Sequence, residues 1–450
     1  MRALTFATLT LLIAATATAG NPGESPGRVH TTVARMTTER LEAAHADVQQ
    51  IQAARVPVTL QSGFSDYRAI LHAHAEDAAH TGGTRPEMLE DAKRAGVQVI
   101  FLSDHFRPPR DFMDSWRGLR DGVLFIPGSE THGFLVHPET SILDVMDSDR
   151  ETVMAATTAG EGMAFLSHVE ERINFPMTGL TGMEIYNRHD DANDDTSAII
   201  ALIGIINDPK KLAVLQADLA KYPAELLASQ LDYPQVYINK WDIETQTQRV
   251  VGIAANDCHH NQVFISKMVD AETVRIGTIV DDDDDMREFT AQQFPGIREL
   301  TKGRAPGDVL AQLDFDPYYV SFHNVSTHIL APELTEPAMR TALKAGHAYV
   351  SHDWMCDPTG FVFGARNSED SAFTAIMGDE VDNARSLRLV AEFPVECDMK
   401  LLKDGDVIHS ERGRTLERRP KGAGVYRLEA WLTVDGEERP WIYSNPVYVR

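Results

Sequence analysis

The chain of 450 residues has three cysteines, too few for a disulfide scaffold, so its fold must rest on a hydrophobic core. Positive charge is also scarce. Lys and Arg total 42 against 67 Asp and Glu, a net charge of -25, and such an excess repels polyphosphate backbones and excludes a non-specific nucleic-acid binder. Small anionic substrates stay admissible, because a local cluster of metal ions reverses the field inside a pocket. Beyond the N-terminus no apolar run reaches the ~20 residues that span a bilayer, and there is no internal repeat or low-complexity linker. What remains, 43% hydrophobic and 24% charged residues, is an ordinary globular mixture long enough for two domains.

The first residues predict export. Met1-Arg2 form a short positive region, Leu4 to Ala15 an apolar stretch, and Ala17-Thr18-Ala19 a small-residue cleavage site before Gly20-Asn21-Pro22-Gly23. Residues 1–19 therefore read as a signal peptide, with an uncleaved anchor as the alternative, and the mature chain is expected in the periplasm or secreted, without a membrane span. No Cys stands at the cleavage site, so no lipid attachment is expected. An oxidising compartment would permit a disulfide between Cys356 and Cys397, leaving Cys258 as a small buried hydrophobe.

Residues 20–60 read as an N-terminal helix, within MTTERLEAAHADVQQIQAA (36–54), and a linker. From about residue 66 short apolar runs alternate with helix-like segments, the signature of parallel strands with crossover helices. The runs are 67–71, 97–102, 123–126, 163–166, 182–186 and 250–255. A polar, ligand-type residue follows run after run: His72-Ala73-His74, Ser103-Asp104-His105, Gly128-Ser129-Glu130, Ser167-His168, Tyr186-Asn187 and Asp257-Cys258-His259. In a closed parallel barrel these ends meet on one face; an open doubly wound sheet is the alternative.

Residues 188–235 and 270–300 read as insertions. The first holds the acidic loop His189 to Asp195 and a helix through Lys210 to Gln230, and could form a pocket wall. Asp281 to Asp285 lack the Gly and Glu positions of a calcium loop, so a solvated acidic surface is expected. After a helix at Ala338 to Ala345, alternation and turn signals such as Lys403-Asp404-Gly405-Asp406 predict a β-sandwich-like domain over 336–450.

His72 and His74 share one face of a strand because side chains alternate, about 6 to 7 Å apart along it, and can share or flank an ion. His80 lies in a glycine-bearing stretch able to fold back over them. Of Asp104 and His105 one is expected to ligate and the other to orient a neighbour. Glu130 can bridge two ions, and His132, His168, Asp257 and His259 complete the set. Imidazoles mixed with carboxylates suit zinc, manganese or iron rather than magnesium or calcium. Eight or nine donors imply two or three divalent ions. Ions ~3.5 to 4 Å apart would share a hydroxide, lower its pKa and clamp a tetrahedral transition state.

This order of motifs over residues 67 to 260 resembles the polymerase and histidinol phosphatase (PHP) superfamily. The resemblance implies a distorted seven-stranded (β/α) barrel, here residues 61–335, and the metal ligands His72, His74, His80, His105, Glu130, His168, Asp257 and His259. His132 matches a further family histidine, with His137 competing for that role. Two positions depart from the pattern: Cys258 replaces a small residue, and Val169 replaces the proline after the fourth-strand histidine. The leader and C-terminal β-domain, with Thr335-Glu336-Pro337-Ala338 and Tyr443-Ser444-Asn445-Pro446, resemble a secreted branch of carbaryl-hydrolase-like metallohydrolases.

The expected function is an exported metal-dependent hydrolase whose metal-bridging hydroxide cleaves a phosphoester, carboxyl ester or carbamate of a small molecule. Asp257 and Asp104 are the expected catalytic residues. Arg107, Arg110, Tyr186 and Asn187 are the expected substrate contacts, with Arg107 favouring an anionic group. The alternative is a non-catalytic, metal-stabilised protein that binds a surface glycan or partner through its β-domain, with Trp354, Trp431 and Trp441 as exposed aromatics.

Overall fold

The computed structural model describes residues 26–107, 111, 113, 115–194, 196–367 and 372–450. The expected leader, residues 1–19, and Arg110 lie outside them. No helix of the described residues is long and apolar enough to cross a membrane.

The fold is mixed α/β. Strands buried on both faces read as unbroken apolar runs, and the apolar runs of the sequence are where the parallel strands form. β1 (Ser65–Ile70) pairs in parallel with β2 (Val99–Phe101); β3 (Gly118–Arg120) forms an antiparallel edge on β4 (Val123–Ile126), which is itself parallel to β2. A second group starts with the hairpin β5 (Ser129–Thr131) and β6 (Phe134–His137). It continues through β7 (Met163–Leu166), antiparallel to β6, to β8 (Gly182–Asn187) and β9 (Val251–Ala255), both parallel to β7. The crossover helix Arg85–Ala95 is written into its ends: Thr84 and Glu87 form a capping box, a proline opens the first turn, and Gly96 closes the helix at φ 72.

The two groups meet through isolated parallel bridges at the carboxyl ends of their strands, His105 with Glu130 and Ala73 with Cys258. They do not form the closed seven-stranded ladder expected from the sequence. The free edge of β1 is taken by the antiparallel strand Ser326–Ala331, and β9 spends its backbone groups on side chains: Gly252 N–H donates to Asn445 Oδ1 (2.8 Å) and Ala254 N–H to Thr327 Oγ1 (2.9 Å).

Residues 263–314 form a separate antiparallel sheet of β10 (Val263–Asp270), β11 (Thr273–Thr278), β12 (Arg287–Thr290) and β13 (Val309–Asp314), in the spatial order β12-β11-β10-β13. Its apolar face, Val274, Ile276, Phe289 and Leu313, packs on Leu202, Ile203, Leu212 and Leu215 from helices 196–206 and 209–221. The acidic segment expected as a loop is helical over Arg188–Asp194, and the helix expected through 210–230 ends at Lys221, where Pro223 starts a new turn.

β14 (Ser326–Ala331) and β15 (Ala348–Ser351) flank helix Glu336–Ala345, and β15 pairs in turn with strand Glu437–Ser444. One hydrogen-bonded sheet therefore runs from β3 across residue 336 into the C-terminal strands. There strand Leu387–Lys403 changes partners along its length, pairing first with 362–367 and then with 424–434. Met183, Ile185, Trp241, Phe393, Trp441 and Tyr443 belong to one core cluster spanning both parts.

Trp354, Trp431 and Trp441 are 2% exposed or less, so they offer no aromatic surface for a glycan, contrary to the expectation of the binding alternative. Cys258, Cys356 and Cys397 are buried free thiols, and the expected disulfide is absent. Asp281 and Asp283 behave as a surface turn: Thr278 N–H donates to Asp281 Oδ2 (2.6 Å), and Lys267 pairs with Asp283 (2.7 Å).

Candidate metal centre

Past the end of β1 the chain bends at His72, and His72 and His74 are fully buried with their Nε2 atoms 3.1 Å apart. Both face the same two carboxylates. His72 Nε2 lies 3.3 Å from Asp257 Oδ1 and 3.6 Å from Glu130 Oε2; for His74 Nε2 the distances are 3.4 and 3.7 Å. The other face of each carboxylate serves His168, whose Nε2 is 3.2 Å from Glu130 Oε1 and 3.5 Å from Asp257 Oδ2. Glu130 also reaches His105 Nε2 at 3.4 Å. His259 stacks on His74 at 4.0 Å between ring centroids, and His105 on His74 at 4.3 Å. His80, half-buried, stands at the margin, 5.1 Å from the His105 ring and 5.0 Å from that of His259.

Backbone geometry fixes this arrangement. His168 (φ 45) and Asp257 (φ 46) both adopt the left-handed conformation immediately after their strands, a state that costs roughly 1–3 kcal/mol and persists where surrounding structure imposes it. The loop bearing His80 folds back because Gly82 N–H and Gly83 N–H both donate to His259 O (3.0 and 3.1 Å). A Cβ at Gly82 would lie 2.2 Å from His260 O, so that approach requires glycine.

Behind the ligands stands a second set of carboxylates. Glu184 Oε1 bonds His72 Nδ1 (2.7 Å), while its Oε2 accepts from His168 N–H (2.9 Å) and Asn187 Nδ2 (3.0 Å). Asp77 Oδ2 bonds His74 Nδ1 (3.0 Å) and His105 Nδ1 (2.7 Å) and accepts from the His105 N–H (2.7 Å), with Thr81 Oγ1 donating to its Oδ1 (2.5 Å). Glu170 Oε1 lies 3.2 Å from His168 Nδ1. A carboxylate on Nδ1 holds the proton there and leaves Nε2 free to ligate. Sequence reasoning missed Asp77, Glu170 and Glu184. Only Glu184 carries a readable signal, an acid inside the apolar run of a doubly buried strand.

The expected substrate residues are not gathered with this cluster as a group. Arg107 is exposed beside it. Tyr186 is buried and donates to Asp191 Oδ2 (2.8 Å). Asn187 braces Glu184 and lies 3.5 Å from His168 Nδ1. The Asp104 carboxylate is buried against Arg85 and accepts from Ala75 N–H (3.0 Å); burial foremost pushes its pKa up to about 6. His132 sits on the exposed turn of the β5–β6 hairpin at φ 54, and His137 is buried on β6 with its Nδ1 towards Pro127 O (3.4 Å). Neither is among the groups whose ligand atoms converge. His189, in the first turn of helix Arg188–Asp194, is 6.4 Å from the His168 ring. A cavity of about 350 Å³ lies elsewhere, against Asp66 at the opposite end of β1.

The donor set fits divalent ions. His72, His74 and Glu130, His72, His168 and Asp257, and His74, His105 and His259 each bring three ligand atoms within 4.8 Å of one another. Donors about 2.0–2.2 Å from a common ion are themselves roughly 3 to 3.7 Å apart, as these are. Asp257 Oδ1 and His259 Nε2 are buried without a hydrogen-bond partner within the chain, which is costly unless a ligand uses them. Burial pulls the imidazoles down, and at His259 and His80 it prevails, whereas for others the carboxylates outweigh it: His74 is pushed up to about 9 by Asp257 and Asp77, and His168 to about 12 by Glu130 and Glu170. Glu130 and Asp257, despite burial, are held well below the usual carboxylate range by His72 and its neighbours. The field of the site thus calls for positive charge.

No protein-family model and no curated protein matches the chain. Among solved structures it is similar to a two-domain protein of Bacteroides vulgatus containing a predicted PHP-like metal-dependent phosphoesterase, with a TM-score of 0.36 and 11% identity over 87% of this chain and 98% of that one. So distant a likeness decides nothing about function, which has to be read from the geometry of the site itself.

Proposed function

We propose that this chain is an exported metal-dependent hydrolase of ester-type bonds in a small molecule, on a PHP-like α/β fold whose ring of strands stays open, joined to a β-rich C-terminal region. The reading rests on one observation: donors from the carboxyl ends of β1, β2, β7 and β9, with Glu130 of β5, converge on two shared carboxylates. His72, His74, His105, Glu130, His168, Asp257 and His259 would hold two or three ions of the zinc, manganese or iron type, with His80 at the margin. Bound there, such ions supply Lewis acidity and lower the pKa of water.

The chain's own groups do the rest. Glu184, Asp77 and Glu170 hold the Nδ1 protons and aim each Nε2 inward. Asp257 is held ionised by the imidazoles around it, so it would serve as a ligand and as a hydrogen-bond acceptor that orients an attacking water. Arg107 would meet an anionic group of the substrate at the rim. Asp104 acts at a distance, tying the segment after β1 to the start of helix Arg85–Ala95 through Ala75 N–H and Arg85.

The test is nitrophenol release by metal-replete protein from an aryl phosphomonoester, phosphodiester, carboxyl ester and carbamate, with Asp257→Asn as the blank. Turnover of one class, absent in the variant, is expected. No turnover of any class by protein carrying its full metal complement would contradict the reading.

A further inference from the structure

His168 is followed by a short 3-10 turn, Val169–Glu171, which brings Glu170 behind its ring. Glu170 Oε1 is 3.2 Å from His168 Nδ1, and Glu170 Oε2 accepts a hydrogen bond from the Tyr237 hydroxyl. Tyr237 is 2% exposed and belongs to helix Gln235–Thr245, which comes after the inserted helices and packs along that turn. The same helix has an independent hold on this segment, since Lys240 Nζ donates to Phe175 O (2.7 Å). His168 differs here from His72, His74 and His105, whose Nδ1 partners Glu184 and Asp77 are side chains 0% exposed. Glu170 is 23% exposed at its side chain and would swing into solvent unless held, and the tyrosine supplies that hold.

We infer that Tyr237 and Glu170 form a positioning pair for the metal ligand His168, through which the helix after the insertion sets the affinity of the ion that His168 binds. The inference rests on the proposed metal centre. Outer hydrogen-bond partners of metal histidines are worth about 10–100-fold in affinity. Because Tyr237 acts only through Glu170, the two should be strongly non-additive.

The test is a cobalt(II) titration of metal-free protein, followed by visible absorption, on the full mature chain and the variants Glu170→Gln, Tyr237→Phe, the double variant and Lys240→Met, with thermal midpoints measured alongside. Glu170→Gln should weaken the His168-dependent ion about 10–100-fold and Tyr237→Phe by a smaller factor, with the double variant no weaker than Glu170→Gln alone. Lys240→Met, which removes the other hold of the helix, should lower the midpoint and leave the titration unchanged. Unaltered affinity in Glu170→Gln and Tyr237→Phe, or an equal loss in Lys240→Met, overturns the pair. Failure of the unsubstituted chain to bind cobalt at all would instead overturn the metal centre itself.

Discussion

Asp77 shows how little at the residue scale the sequence pattern conveys and how much rides on it. One carboxylate orients His74 and His105 and also holds the His105 amide, yet nothing in the run HAHAEDAAH marks it out from Glu76. Asp77→Asn keeps the shape but loses the negative charge and one of the two acceptor oxygens; metal affinity should fall about 10–100-fold, measured by titration against a chromophoric chelator, with the circular dichroism spectrum unchanged. A second buried imidazole, His328, lies away from the centre between Asp66 Oδ1 (2.7 Å) and Asp353 Oδ1 (3.3 Å). Burial alone would pull it down, but the two carboxylates push it up to about 9, above its unfolded value of 6.5. Its contribution, about 3 kcal/mol at 1.36 kcal/mol per unit, is complete below about pH 6.5 and lost as pH rises through 9. Thermal midpoints between pH 6 and 10 should show this loss in the native chain and a flatter profile in His328→Gln.

At the scale of elements, what could be read was set by burial on both faces. VLFI, MAFL and VGIAA are strands because they are buried throughout, and such runs look alike in the sequence and in the fold. Helix Glu336–Ala345 was equally legible from Thr335, Pro337 and Gly346. The sheet of β10–β13 was not, since its strands bury one face under helices 196–206 and 209–221 and expose polar residues such as Lys267 and Glu288 on the other. The β5–β6 hairpin turns at His132-Gly133, both at positive φ, which is why a histidine that matches a ligand position by spacing is exposed. Trp241 illustrates what holds the elements to one another. Its ring is fully buried against β9, close enough that a Cβ at Gly252 would come within 2.8 Å of it, and its Nε1 donates to Val250 O (2.9 Å). Trp241→Ala should cost about 3–5 kcal/mol, read as a lower urea midpoint.

For the whole molecule, the distribution of hydrogen bonds explains why the ring of strands does not close as the motif order suggests. Asn445, five residues from the C-terminus, bonds Gly252 N–H and, through Nδ2, Gly252 O (3.1 Å) and Ala348 O (2.9 Å). A contact across 193 residues leaves no local trace, so motifs over residues 67–260 revealed the ligands and said nothing of this closure. Because one sheet and one core cross residue 336, calorimetry should record a single unfolding transition. Asn445→Ala should shift it downward without splitting it; two separate transitions would show that the C-terminal strands fold as an independent unit.

The converging imidazoles and carboxylates are proposed to hold metal, and every functional role assigned to this chain depends on that. The most direct measurement is the number of divalent ions bound per chain, by elemental mass spectrometry after exhaustive dialysis of protein loaded with zinc, manganese or iron. Two or three ions per chain are predicted, falling by at least one in a His72→Ala, His74→Ala double variant that remains folded. A native chain that keeps none, or a double variant that keeps them all, would contradict the proposed centre.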